Sequence, residues 1–420
     1  MTERLLQHIW QFQIFNRSSL FSIEEEQVQI IHPGNYNYNQ GPDFLAAKIL
    51  LDKTIWVGSI ELHINSSDWK NHKHTADKNY NNVILHVVWH HDVDLKLPFP
   101  TLLLQDRVST MLLTKYEELM HSPLFIPCEK NINLVSNIIL QSWKERLLVE
   151  RLQTKTQLIF LYLEKSKNHW DETFWWLIAR NFGAKVNSDA FNAMAQSVPI
   201  TLLAKHKNQI HQVEAFLFGQ AGLLEGSFTG AYPKLLQKEY AFLKNKYKLR
   251  KTHHSMMFLL MRPSNFPTIR LAQLAMLIHK SEHLFSKIKE TNSLKEIKAL
   301  LQLTANDYWH YHYIFDEQTA FKKKNLGKLM INNILINTVI PVLFAYGLHQ
   351  KEDKFKNKAL QWLDEIQAEV NSITTGFAQL GILNKTAFDS QALIQLKNEY
   401  CNKKRCLDCS IGNKLLAVSH

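Results

Sequence analysis

The hydrophobic period of this chain changes once, near residue 109, and that change limits what the chain can become. Before it, apolar residues alternate or run in short blocks. After it, they recur every three or four positions, the spacing of one helix face. Residues 27–31, 44–51, 55–64 and 83–89 read as strands, the last an unbroken apolar run suited to the middle of a sheet, and 101–104 adds a short further strand. Residues 3–15 carry Leu5, Leu6, Ile9, Trp10 and Ile14 at helical spacing, and a turn-rich stretch, 33–42, follows the first strand. Residues 67–80 are polar and His-rich, with room for one or two helical turns. The predicted order is α-β-β-β-α-β.

Helical spacing then governs 112–120, 135–164, 171–182, 188–196, 205–219, 232–247, 269–278, 329–348 and 354–373, with no fixed-period repeat. The fold class expected is α+β: a small α/β domain with a mixed sheet over 1–108, a large all-α domain over 109–400, and a Cys-containing tail over 401–420 that packs near Cys128. A hydrophobic content of 45% against 21% charged residues excludes a disordered chain. The first ten residues show no basic segment followed by an apolar one, so no signal peptide is expected. The most apolar window, 329–346, contains Asn332, Asn333, Asn337 and Pro341 and reads as a buried helix rather than a membrane span. A cytoplasmic protein without a membrane partner is expected. The formal charge of +11 points to a polyanionic partner, nucleic acid foremost.

The chemistry concentrates in GPDF at 41–44 and IELHINSSDW at 60–69. Residues two apart on a strand share a face, so Glu61 and His63 point the same way. A three-residue connection over 52–54 sets Asp43 opposite His63, whereas a two-residue turn pairs Asp43 with Leu62 and separates it from the other two. Two converging carboxylates repel unless a cation neutralises them, and Mg²⁺ or Mn²⁺ suits such oxygen ligands. Pro42-Asp43, a strand and turn, then Glu61-Leu62-His63 resemble the PD-(D/E)XK nuclease superfamily. That resemblance implies a nuclease-like fold for the first domain, metal ligation by Asp43 and Glu61, and catalysis on phosphodiesters. His63 stands where that superfamily has Lys, so it would position the attacking water or complete the metal shell.

The longer strings GPDF, GSIELHINSSDWKNHKH and YNNVILHVVWHHD, with RPSNFPTIRLAQLA at 262–275 and the Cys-rich end, also look like one bacterial family described as a domain of unknown function.

Two other constellations stand out. His72, His74, Asp77 and His86 lie close enough in sequence to His63 to build a nitrogen-rich zinc site, with His72 and His74 spaced as a local ligand pair; the alternative is that His86 is a satisfied sheet histidine and that His72 and His74 are surface residues. Cys401, Cys406 and Cys409 form C-x4-C-x2-C, and Cys128 brings the number of cysteines to four, as a closed Zn²⁺ site or a [4Fe–4S] cluster requires. In the helical domain, Arg262 and Arg270 flank a Pro-defined helix entry, and Lys322, Lys323 and Lys324 form a basic patch. All five are candidate contacts for a nucleic-acid backbone. Three functions therefore stay open: a metal-dependent nuclease, a catalytically inactive nuclease-like module that binds nucleic acid or protein, and a zinc-dependent hydrolase built on His63, His72 and His74.

Overall fold

The computed structural model describes residues 1–417 apart from Lys251, His253 and Glu282; the last three residues of the predicted tail lie outside it. The chain forms two compact units. One comprises Met1–Lys144, Gln379–Gly381 and the C-terminal stretch from Gln395. The other comprises Glu145–Ala378 and Ile382–Ile394.

The first unit carries the sheet. Its strands are β1 (Val28–His32), β2 (Asn35–Tyr36), β3 (Phe44–Leu51), β4 (Thr54–Asn65), β5 (Val83–His90) and β6 (Thr101–Leu103). Spatial order is β1-β3-β4-β5-β6, with β2 beside β3. The β1/β3, β2/β3 and β3/β4 pairs are antiparallel, and β4/β5 and β5/β6 are parallel. The sheet is therefore mixed, as its patterning predicts, and β5, buried at seven consecutive positions, is a central strand. Helix α1 (Glu3–Gln11) starts at Thr2, whose hydroxyl accepts the Leu5 N–H at 3.2 Å. Its buried Leu5, Leu6, Ile9 and Trp10 join Phe44, Ile49, Ile60, Leu62, Leu85 and Val87 in one apolar core. Alternation then turns Ser59, Glu61 and His63 toward the other face of β4.

The β3–β4 connection is the two-residue turn, with Leu51 opposite Thr54. Continued without interruption, that register would pair Asp43 with Leu62. It is interrupted: Phe44 lies opposite Ile60 but Ala47 opposite Gly58, so Leu45 and Ala46 span one residue of β4. Ala46 adopts a left-handed conformation, φ 57°, and forms a β-bulge. The bulge moves the register by one and brings Asp43 level with Glu61. Asp43 thus stands neither opposite His63 nor opposite Leu62.

Between β4 and β5 run α2 (Asp68–Asn71) and two 3₁₀ turns, His74–Ala76 and Lys78–Tyr80. Trp69 is buried, and Asp68, the first residue of α2, accepts the Asn65 N–H. Helix α3 (Thr110–His121) follows the sheet, and α4 (Asn137–Lys165) runs on from it in sequence.

The second unit is helical. The segment 205–219 divides into Ile200–His206 and Ile210–Gln220, and 354–373 ends its helix at Glu365. Helix Lys328–Gln350 is long and apolar enough to cross a membrane by length and composition, and 72% of its apolar window is buried inside the fold. Leu335–Val339 makes a π-turn within it, next to Pro341.

Candidate metal centre

Three imidazoles from three elements converge above β4. His63 comes from the strand, His74 from the first 3₁₀ turn, and His72 from the end of α2. Lys73, between the last two, takes a left-handed conformation with φ 60°, and this reversal aims both neighbours back at the strand. His63 Nε2 lies 3.2 Å from His72 Nδ1 and 3.3 Å from His74 Nε2, and all three ligand atoms fall within 4.8 Å of one another. A tetrahedral zinc ion with Zn–N bonds of about 2.0–2.1 Å needs nitrogens about 3.3 Å apart. The two measured separations match that edge.

Glu61 sits beside this trio. Its Oε1 is 3.6 Å from His63 Nε2 and 3.4 Å from His74 Nε2, while Oε2 accepts the Asp43 backbone N–H at 3.0 Å. Asp43 is held differently. Its Oδ1 accepts from the Gln7 amide at 2.7 Å, and its Oδ2 accepts from the Leu62 N–H at 3.1 Å. Asp43 and Glu61 are thus adjacent, but Glu61 is the carboxylate that reaches the imidazoles.

A second layer orients the first. Glu61 and His86 are level across the parallel β4/β5 pair, and His86 Nε2 lies 2.9 Å from His63 Nδ1. With the proton on His63 Nδ1, that bond leaves the Nε2 lone pair of His63 facing His72 and His74, the arrangement seen around metal-bound histidines. Trp69 packs edge-on against His74 and His86 at 5.3 Å, and Tyr80 stacks on His74 at 3.8 Å. Glu61, His63, His74 and His86 are all buried, whereas His72 is exposed and marks the open side.

Electrostatics fit a cation. Burial, reinforced by His86, His74 and His72, drives the His63 pKa well below the ordinary imidazole value, and burial lowers His74 too. Both rings are neutral, the form that ligates. Burial first, and then the Asp43 charge, raises the pKa of Glu61; burial also raises that of Asp43. A divalent ion beside Glu61 offsets that cost.

The family described as "Protein of unknown function (DUF2851)" matches residues 3–372, nearly the whole chain. The chain belongs to the DUF2851 family. No curated protein and no solved structure matches it. The match covers the histidine segment and the helical unit of this DUF2851 protein up to residue 372.

The other expected site residues are more dispersed. Cys401, Cys406 and Cys409 are buried, and Cys128, half-buried, lies within electrostatic reach of Cys406 and Cys409. In the helical unit, Arg262, Lys322 and Lys323 are exposed. Arg270 is committed to Gln273 and Asn265 at 3.0 and 2.7 Å, and Lys324 is buried with its ammonium 3.7 Å from the Tyr313 ring centre. Of the five basic candidates, the two turned inward serve packing. His86 lies behind His63 through the parallel register of β4 and β5, a placement that its position in the sequence does not reveal.

Proposed function

We propose that the sheet unit is a metal-dependent hydrolase whose ion is held by His63, His72 and His74, with Glu61 beside it. The observation that carries this reading is the pair of nitrogen separations, 3.2 and 3.3 Å, with the Glu61 carboxylate at 3.4 Å on a third side. Held by these residues, a divalent ion would supply a water of lowered pKa and polarise the bond to be cut. Glu61 Oε1 accepts the proton from the attacking water, and its other oxygen stays fixed by the Asp43 N–H. His86 keeps His63 in the ligating tautomer. Exposed His72 lies on the side from which substrate enters. The substrate class put forward is a nucleic-acid phosphodiester, supported by the formal charge of +11 and by exposed Arg262, Lys322 and Lys323.

A second reading has one observation in its favour. Asp43, half-buried, and Glu61, buried, are neighbouring acids whose proton affinities rise together, as expected of a Mg²⁺ or Mn²⁺ pair that lacks its cation. In that reading the histidines are accessory.

Cleavage of DNA, RNA and a chromogenic phosphodiester by metal-stripped protein, resupplied with Zn²⁺, Mn²⁺ or Mg²⁺, separates the two. Zn²⁺-supported turnover lost in His74→Ala and Glu61→Gln supports the histidine centre. Mg²⁺-supported turnover that survives His74→Ala but not Asp43→Asn supports the acidic pair. Full metal binding with no hydrolysis of any substrate contradicts an enzyme and leaves a binding module.

A further inference from the structure

The C-terminal cysteines form a second constellation, distinct in ligand chemistry from the histidine centre. Four element ends in the sheet unit supply its sulfurs. Cys128 precedes the 3₁₀ segment Glu129–Leu134. Cys401 ends the π-turn Leu396–Cys401. Cys406 opens the turn Cys406–Asp408, and Cys409 precedes helix Ser410–Ala417. Cys401 lies within electrostatic reach of Cys409, Cys128 and Cys406, and none of the four is disulfide-bonded.

Their spacing is wider than a single tetrahedral ion takes. Zn–S bonds of about 2.3 Å bring sulfurs to about 3.8 Å from one another. Among the described residues, the trio of ligand atoms that closes to within 4.8 Å is His63, His72 and His74; no three of the cysteine sulfurs do so. A cubane cluster holds its four thiolates several ångströms further apart, because each binds a different iron.

The surroundings suit an anionic sulfur cage. The Cys409 sulfur accepts the backbone N–H groups of Ile411 and Gly412, and the Trp143 indole is directed at it. Such N–H···S contacts stabilise thiolate charge and tune cluster potential. Gly412 is needed for this approach, since a Cβ there would stand 2.2 Å from the Cys406 carbonyl oxygen. Lys397 and Lys404 bring positive charge toward Cys401 and Cys406, and Leu119, Leu407 and Leu416 form an apolar surround. Four-thiolate cluster sites carry net negative charge, so two lysines and inward-facing amides offset it.

We infer that Cys128, Cys401, Cys406 and Cys409 bind a [4Fe–4S] cluster that fastens the C-terminal segment to the region around Cys128. The cluster is structural here, and no electron transfer is assigned to it.

Anaerobic purification of the full chain, followed by iron, sulfide and zinc analysis, tests this. About four iron and four sulfide per chain are expected, with a broad visible absorption that dithionite bleaches. Cys406→Ser and Cys409→Ser should lose both. To separate ligand loss from unfolding, wild-type protein stripped of metal is reconstituted with ferrous iron and sulfide or with Zn²⁺ alone; the first should restore the absorption and raise Tm. The His72→Ala/His74→Ala variant should keep its iron, which makes failure here separate from failure of the histidine centre. One zinc per chain retained by that double variant, or no iron and sulfide after reconstitution, overturns the inference.

Discussion

Replacing His86 by Phe separates orientation of the centre from its construction. His86 is fully buried, and its Nε2 contacts His63 Nδ1 at 2.9 Å, while its own Nδ1 has no hydrogen-bond partner. Phe fills nearly the same volume and carries neither nitrogen. In the metal-free protein, loss of the buried His–His bond leaves His63 Nδ1 unpaired at a cost of about 1–3 kcal/mol, and removal of the unsatisfied His86 Nδ1 returns a similar amount. Apoprotein stability should therefore change by less than about 1 kcal/mol. The metal-bound protein responds differently, because His63 is freed to rotate and to change tautomer. Loss of such an outer partner weakens metal affinity by about 10–100-fold, or roughly 1.4–2.7 kcal/mol. That amount is subtracted from the stabilisation conferred by saturating Zn²⁺, so the zinc-induced rise in Tm should shrink by roughly 3–11 °C. Chelator competition gives the affinity and differential scanning fluorimetry the Tm. His86→Gln, which can still accept from His63, should fall between Phe and wild type. Equal zinc affinity in wild type and His86→Phe refutes the assigned orientation; a metal-free Tm collapse would show that His86 serves packing first.

Glu61→Gln should abolish metal-supported turnover by 100-fold or more, roughly the contribution of a positioned base, while leaving the fold intact by circular dichroism. In the helical unit, Glu214 is fully buried against the Tyr232 hydroxyl and Trp309 indole, and burial raises its pKa from 4.5 to about 8. A raised carboxyl pKa stabilises the fold below pH about 4.5 and loses that contribution progressively as pH climbs through about 8. The shift corresponds to an upper bound of about 5 kcal/mol, so denaturant melts should show Glu214→Gln more stable than wild type at pH 9 and the difference vanishing near pH 4.5. Ala46→Gly should stabilise the sheet unit by up to about 1 kcal/mol, because glycine accepts the left-handed bulge position without strain. A loss of stability there would contradict the bulge.

The sheet was legible because its strands differ in patterning from the helices: β3, β4 and β5 lie within a residue of their periodic runs, and the unbroken 83–89 run marked a central strand. Glu61 and His63 sharing a face followed from strand alternation alone. The bulge did not, since Ala46 rather than Gly or Asn occupies the left-handed position and leaves no mark in the sequence. For the same reason the return of His72 and His74 toward the strand was hidden, as Lys73 has no preference for the conformation that achieves it. Helix breaks at 207–209 and 366–371 were also missed, because apolar spacing runs through both and tertiary packing decides where the backbone turns. The inward placement of Lys324 shows the limit of reading a basic run as one surface, since its neighbours Lys322 and Lys323 remain exposed.

Zinc-edge X-ray absorption on the zinc-loaded full chain tests the histidine centre most directly. A shell of nitrogen and oxygen at about 2.0–2.1 Å with imidazole multiple scattering, lost in His63→Ala, is predicted. A shell of sulfur alone at about 2.3 Å, or no zinc retained by the wild-type protein, would contradict it.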